Sequence, residues 1–231
     1  MKYAISLLLG LLTGAALFVV AVYHNPFVGR ASVSPLAVTK ERVIDLSFPA
    51  VPSNGLLFTN HGESTISPYP ERVSELWEPA VHETSVYVTK LEDSRGADAG
   101  IGIKFFSKSE ATRLLKGQAL ANSAWHVYLP GKGTLLIDQT ENYWSYLHDV
   151  VVPAHLSSGD NWRGSFYGVT TSGPSALGTA RVTGGSGLFA GLVSESVESL
   201  SAEGYSARSG PVSMHGSLTV ALPDRQAVAQ E

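Results

Sequence analysis

Residues 178–191 read Gly178-Thr179-Ala180-Arg181-Val182-Thr183-Gly184-Gly185-Ser186-Gly187-Leu188-Phe189-Ala190-Gly191. Thr179, Arg181 and Thr183 fall on one side of an extended chain and Ala180 and Val182 on the other, which is the alternation of a half-buried strand. The run then meets Gly184, Gly185, Gly187 and Gly191. Glycines clustered in this way mark a turn that needs positive φ or a close approach of backbones. Phe189, alone among them, is expected to tuck back into a core and pin that turn. Judged by itself, the cluster also reads as an ordinary hairpin loop.

The rest of the chain continues the strand pattern. Val43–Phe48, Leu56–His61, Thr84–Leu91, Ile101–Phe106, Trp125–Leu129, Thr134–Gln139, Trp162–Thr171, Val193–Leu200 and 212–222 read as strands, seven to nine in all, separated by Gly, Pro, Asn and Asp. Trp162, Gly164, Phe166 and Gly168 share one face, and small residues beside aromatics suit a tightly curved wall. Two stretches break the rhythm. Ser107-Lys108-Ser109-Glu110 has capping-box spacing before 111–116, and Tyr143, Tyr146, Leu147 and Val150 form a helical stripe that Pro153 should end. Residues 66–80, with Pro68, Pro70 and Pro79, allow no long regular element.

The glycine stretch has a further meaning. Val182-Thr183-Gly184-Gly185-Ser186-Gly187-Leu188-Phe189-Ala190-Gly191 resembles the V/I-x-G-G-T/S-G-x-F-x-G signature of the allene oxide cyclase and dirigent barrel superfamily, where it joins two late strands of a small antiparallel barrel. The resemblance is carried by about fourteen residues, extends by strand pattern over 44–223, and is absent from the first forty. It implies an all-β fold, a closed antiparallel β-barrel of about eight strands. It also implies an apolar lumen in which a substrate is folded into a reactive shape with help from a glutamate and a fixed water. Such barrels are commonly trimers, so a homo-oligomer, trimer or dimer, is expected on the same ground. An anchor, the lack of cysteine and the inserted 140–156 segment set this chain apart from the plant families.

Ala4–Tyr23 contains no charge over twenty residues, enough for a helix of ~30 Å, the thickness of a hydrocarbon core. No small-x-small cleavage site follows, so 1–23 is read as a retained anchor, with a removed signal peptide as the alternative. Positive charges lie on both sides (Lys2 against Arg30, Lys40 and Arg42) and barely fix the orientation; an exported, periplasmic or extracytoplasmic domain is expected. Residues 24–42 form a tether, 43–223 the barrel domain, and 224–231 a tail.

With no cysteine, thiolate metal sites, disulfides and a cysteine nucleophile are excluded. A net charge of −4 without a basic block makes nucleic acid an unexpected partner. No hydrolase elbow, Walker A, dinucleotide fingerprint or H-E-x-x-H occurs, and the seven histidines are scattered, so neither a cofactor nor a metal is expected.

Chemistry is densest in Asp138-Gln139-Thr140-Glu141-Asn142-Tyr143-Trp144-Ser145-Tyr146-Leu147-His148-Asp149, where strand gives way to helix. Glu141 is the candidate general acid or base and Asn142 the holder of a water or substrate oxygen, both at the barrel mouth. The alternative is that both merely cap the following helix. Trp125, His126, Tyr128, Tyr143, Tyr146, Phe166 and Arg163 are the candidate substrate-binding residues. His126 and Tyr128 share one strand face, inward or outward, and Arg163 has the alternative of an exposed pair with Asp160. Three functions fit: a cofactor-free isomerase that cyclises a small apolar molecule, a non-catalytic lipocalin-like or dirigent-like binder, and a structural envelope protein with a filled barrel.

Overall fold

The computed structural model describes residues 2–25, 42–51, 55–59, 73–75 and 84–222. Most of the 24–42 tether, the tail and most of 66–80 lie outside them. The first helix, α1, spans Lys2–Tyr23, is apolar on all sides and is not buried against the rest of the chain. It is long and apolar enough to cross a membrane, a property that signal sequences share.

The remaining elements build one sheet. Its strands are β1 (Arg42–Pro49), β2 (Gly55–Thr59), β3 (Val73–Glu75), β4 (Thr84–Glu92), β5 (Asp98–Lys108), β6 (Leu120–Leu129), β7 (Gly133–Asn142), β8 (Asn161–Val169), β9 (Thr171–Gly173), β10 (Ala180–Gly185), β11 (Ser194–Ser206) and β12 (Gly210–Leu222). Eight of them close a ring in the order β1-β12-β11-β10-β7-β6-β5-β4, with Ser47 paired to Glu92 across the seam between β1 and β4. Every pairing in the ring is antiparallel. The fold is therefore the closed barrel expected, and closure removes the strand edges that an open sheet leaves unpaired. β10 fills the wall between β7 and β11 at one end; at the other end β9 pairs with β7 and β8 with β11.

Alternation decides what enters the barrel. Leu46 and Phe48, Tyr87 and Leu91, Trp125, Val127 and Leu129, Leu135 and Ile137, Ala180 and Val182, and Leu218 and Val220 form one buried cluster. Glycines on facing strands make room for its rings. A Cβ on Gly216 would lie 2.1 Å from Phe48 Cζ, and one on Gly102 would lie 2.6 Å from Trp125 Cζ3.

The glycine stretch closes one mouth. Gly184 and Gly185 end β10, a 3-10 turn follows at Gly187–Phe189, and Phe189 is buried in the main cluster, as its sequence setting suggested. The turn lies directly on the β6–β7 hairpin: Leu188 N–H donates to the Lys132 carbonyl at 2.7 Å and Ser186 N–H to the Thr134 carbonyl at 3.0 Å. Backbones this close leave no space for a side chain, and Gly187 also has a φ of +63°. Gly191, at the end of the turn, has positive φ but open space around it.

The opposite mouth is covered by a helical segment, α2, over 144–156. It runs Trp144–Tyr146, then a π-type turn Leu147–Val151, then Val152–Leu156. Pro153 does not end it, contrary to expectation. The wide turn places the proline in the first turn of the last piece, where its missing N–H is no loss. Tyr146, Val150 and Ala154 face inward and pack with Phe166, Leu200, Ala202 and Tyr205 as a second apolar cluster. The helix expected from the capping box is reduced to a 3-10 turn at Leu114–Lys116, because Ser107 and Lys108 continue β5 and pair with Asn122 and Ala121 of β6.

A Cβ on Gly187 would meet the Lys132 carbonyl oxygen at 2.4 Å, whereas one on Gly184 would meet Leu136 Cδ1 at an ordinary 3.6 Å. Gly187→Val is accordingly expected to destabilise the barrel by at least ~1–3 kcal/mol and Gly184→Ala by much less. Urea unfolding of the two variants beside the parent checks this difference, and equal midpoints would show that the turn is unstrained.

Candidate functional site

Between the two apolar clusters lies a layer of buried polar groups. β5 contributes Lys104, β6 Ser123 and Trp125, β7 Gln139 and Glu141, and β11 Glu198, all with inward parity. Lys104 pairs with Trp125 across β5–β6 and Ser123 with Gln139 across β6–β7, so register brings these side chains to one level. The side chains of Lys104, Glu141 and Glu198 are 7%, 0% and 4% exposed.

Lys104 Nζ lies 2.8 Å from Glu141 Oε1 and 2.7 Å from Glu198 Oε1, and donates to the Tyr143 hydroxyl at 3.3 Å. The Tyr143 hydroxyl donates in turn to Glu141 Oε1 at 2.7 Å, and Ser123 Oγ to Glu141 Oε2 at 2.6 Å. Glu198 Oε2 accepts from the Trp125 indole N–H at 2.8 Å and from the Gln139 amide. Thr171 Oγ1 completes the layer by donating to Gln139 Oε1 at 2.9 Å. The Lys104 ammonium also stands 5.5 Å from the centroid of the Trp125 ring.

One ammonium between two carboxylates leaves the layer one negative charge in excess when all three are ionised, which a dry interior disfavours. Burial raises the Glu198 carboxyl above the usual carboxylate range and the nearby Glu141 adds to this, while Lys104 and the hydrogen bonds from Lys104 and Trp125 pull the other way. For Lys104, burial works against the charged form, but Glu141 and Glu198 more than offset it and hold the ammonium well above its ordinary value. Burial and the adjacent Glu141 keep the Tyr143 phenol protonated far into the alkaline range. The layer can thus hold a proton on a carboxyl where an exposed one would have lost it, with the tyrosine and the ammonium as further proton-bearing groups.

The sequence candidates fall into four sets. Glu141, Trp125 and Tyr143 belong to the polar layer. Tyr146 and Phe166 lie beside it in the apolar cluster beneath α2, with ring centroids 5.7 Å apart, and the buried Tyr146 hydroxyl has no hydrogen-bond partner among the described residues. His126, Tyr128 and Arg163 are exposed on the outer wall and do not line the interior. The guanidinium that pairs with Asp160 is Arg208, at 2.8 Å, and not Arg163. Asn142 ties the chain together instead of facing the lumen: its Oδ1 accepts from the N–H groups of Ala119 and Trp144, and its Nδ2 donates to the Gly117 carbonyl.

Lys104, Glu198, Ser123, Gln139 and Thr171 escaped sequence reading. A signal existed. Lys104 shares strand parity with Gly102 and Phe106, and Glu198 with Leu200 and Ala202, so both charges stand where the pattern demands buried residues.

No protein-family model and no curated protein matches the sequence. Among solved structures, a nonspecific heme-binding cyclase that catalyses a [4 + 2] cycloaddition during neoabyssomicin biosynthesis aligns with a TM-score of 0.37 at 11% identity, over 84% of this chain and 76% of that one.

Removing the ammonium while leaving both carboxylates tests the electrostatics. Lys104→Met is expected to cost about 3–5 kcal/mol at neutral pH, since two buried carboxyls then face each other uncompensated. The Glu198 carboxyl, already raised by burial, would lose the Lys104 charge that pulls it down and would titrate higher in the folded than in the unfolded chain, so the folded state takes up a proton and part of the loss should return as the pH falls towards about 5. Thermal unfolding of Lys104→Met against pH measures this; a loss independent of pH would show that packing alone is affected.

Proposed function

We propose that the chain is held at a membrane by α1 and that its barrel, like allene oxide cyclase-like barrels, binds a small, largely apolar molecule and folds it for cyclisation or isomerisation, here with the help of proton transfer. The observation that carries this reading is the meeting of Lys104, Glu141, Glu198 and Tyr143 within hydrogen-bond distance inside an otherwise apolar barrel. Buried titratable groups in mutual contact in such surroundings are suited to acid–base work. The Val182–Gly191 stretch, whose wording suggests the same class of barrel, supports it independently.

The ligand would occupy the α2 side of the layer, with the Tyr146 hydroxyl as a donor to a carbonyl, ether or epoxide oxygen. Glu141 acts as the base that takes a proton from the substrate, and the proton returns at a second position. An isomerisation written this way balances without any co-reactant. The greater share of the rate comes from shape, since holding a flexible substrate in its reactive conformation can lower a barrier by up to ~7–11 kcal/mol.

A second reading has its own support. Each charged group of the layer finds its partners within the protein, and Phe189 and α2 cover the two mouths, as in a barrel that is filled and purely structural.

Native mass spectrometry of the full chain after mild detergent extraction separates the two, through a retained small molecule or none. With that molecule or its precursor as substrate, Glu141→Gln should keep binding and folding while turnover falls by ~10²–10⁴-fold. Unchanged turnover in Glu141→Gln would remove the proposed base, and a protein that neither retains nor binds any apolar molecule would leave the structural reading.

A further inference from the structure

We infer that the turn between β5 and β6 is a second membrane contact, which seats the α2-covered end of the barrel on an anionic bilayer, the same one that α1 enters. The inference rests on α1 standing in lipid and does not depend on the chemistry of the interior.

The end of α1 is not free of the domain. The Tyr23 ring stacks on His148 of α2 with centroids 4.3 Å apart and an interplanar angle of 22°, and the Tyr23 carbonyl oxygen lies 2.7 Å from His148 Nε2. Two residues on, the Asn25 amide donates to the Leu115 carbonyl at 2.6 Å. A tyrosine at the end of an apolar helix marks the level of the headgroups. Two residues span at most ~7 Å, and the Asn25 side chain with its hydrogen bond adds a further side-chain length, so Leu115 is held close to the level of the headgroups.

What the turn presents there fits lipid. Leu114 and Leu115 are 46% and 53% exposed, side by side in the 3-10 turn. Around them Lys108, Arg113 and Lys116 are exposed, against a single carboxylate, Glu110. Apolar side chains for the acyl boundary flanked by cations for the headgroups make up the pattern of an interfacial anchor, and each cation near an anionic surface adds to the attraction. This local excess of positive charge stands in a chain of net charge −4, which points to anionic headgroups in particular. The far end of the barrel also exposes apolar residues, Leu188 and Val193, but it is the end that α1 does not reach. Seated this way, α2 and the mouth beneath it face the lipid, from which an apolar ligand would be drawn.

Because the chain has no cysteine, single labels can be placed at will. Leu12→Cys, Leu115→Cys and Val193→Cys, each carrying an environment-sensitive fluorophore, are reconstituted as full chains in phosphatidylcholine–phosphatidylglycerol vesicles that contain a lipid quencher either at the headgroup or deep on the acyl chain. The label at 12 should be quenched by the acyl-chain quencher, the label at 115 by the headgroup quencher and the label at 193 by neither. Changing Lys108, Arg113 and Lys116 together to Ala should lower quenching at 115 several-fold and leave that at 12 unchanged. A label at 115 that behaves like the one at 193, while 12 is in lipid, overturns the inference and leaves the anchor standing. If 12 is in water as well, both fall. Equal quenching at 115 with and without the three cations overturns the recognition of anionic headgroups.

Discussion

The structure depends on one ammonium. Lys104 of β5 stands inside the barrel between Glu141 of β7 and Glu198 of β11, strands far apart in sequence, with β11 across the ring from β5. A lone charge in such a place would be untenable, and two carboxylates without it equally so. The three groups are acceptable only together, in the register that places β5, β7 and β11 at one level. A slip of a single residue in any of these strands would turn its charged side chain to the outer wall and leave the others uncompensated.

From that layer the rest of the arrangement follows in both directions along the barrel axis. On one side the interior is apolar, with Phe48 and Trp125 edge to face at 4.9 Å, and it ends at Phe189 in the glycine turn. On the other side β7 stops at Asn142, the wall is continued by β8 and β11, and α2 folds over the gap with Tyr146 on its inner face. The side chain of Asn142 holds the corner between β7 and α2 through three hydrogen bonds, so the residue that sequence reading offered to a substrate instead fixes where α2 begins. At this junction the proton-bearing layer borders the apolar cluster beneath α2.

Much of the fold was legible because it is written in period-two alternation. The strands at 84–92 and 210–222 and the hairpin from 120 to 142 announce themselves by parity, and the glycine turn by residue types that only close backbone contact requires. Strand ends were less legible. β5 runs on through Ser107 and Lys108 because β6 offers partners there, a tertiary fact that overrides a local capping signal. Of the site, Glu141, Trp125 and Tyr143 stood out by local density, whereas Lys104 and Glu198 did not, being single charges in otherwise ordinary strands. What joins them is pairing across the barrel, and no local window of sequence contains it. Parity could have flagged them, since an inward charge demands a partner, but it could not have named that partner.

The central claim is that the layer holds a proton on a carboxyl above the usual carboxylate range and makes it available to a bound molecule. Infrared spectroscopy of the full chain, followed through the carbonyl stretch of protonated carboxyls, addresses this directly. The account predicts a buried-carboxyl band that persists above the pH at which exposed carboxyls lose it, disappears in Glu198→Gln, and shifts when an apolar ligand binds. Loss of every protonated-carboxyl band over the ordinary carboxylate range, with no response to the ligand, would contradict it.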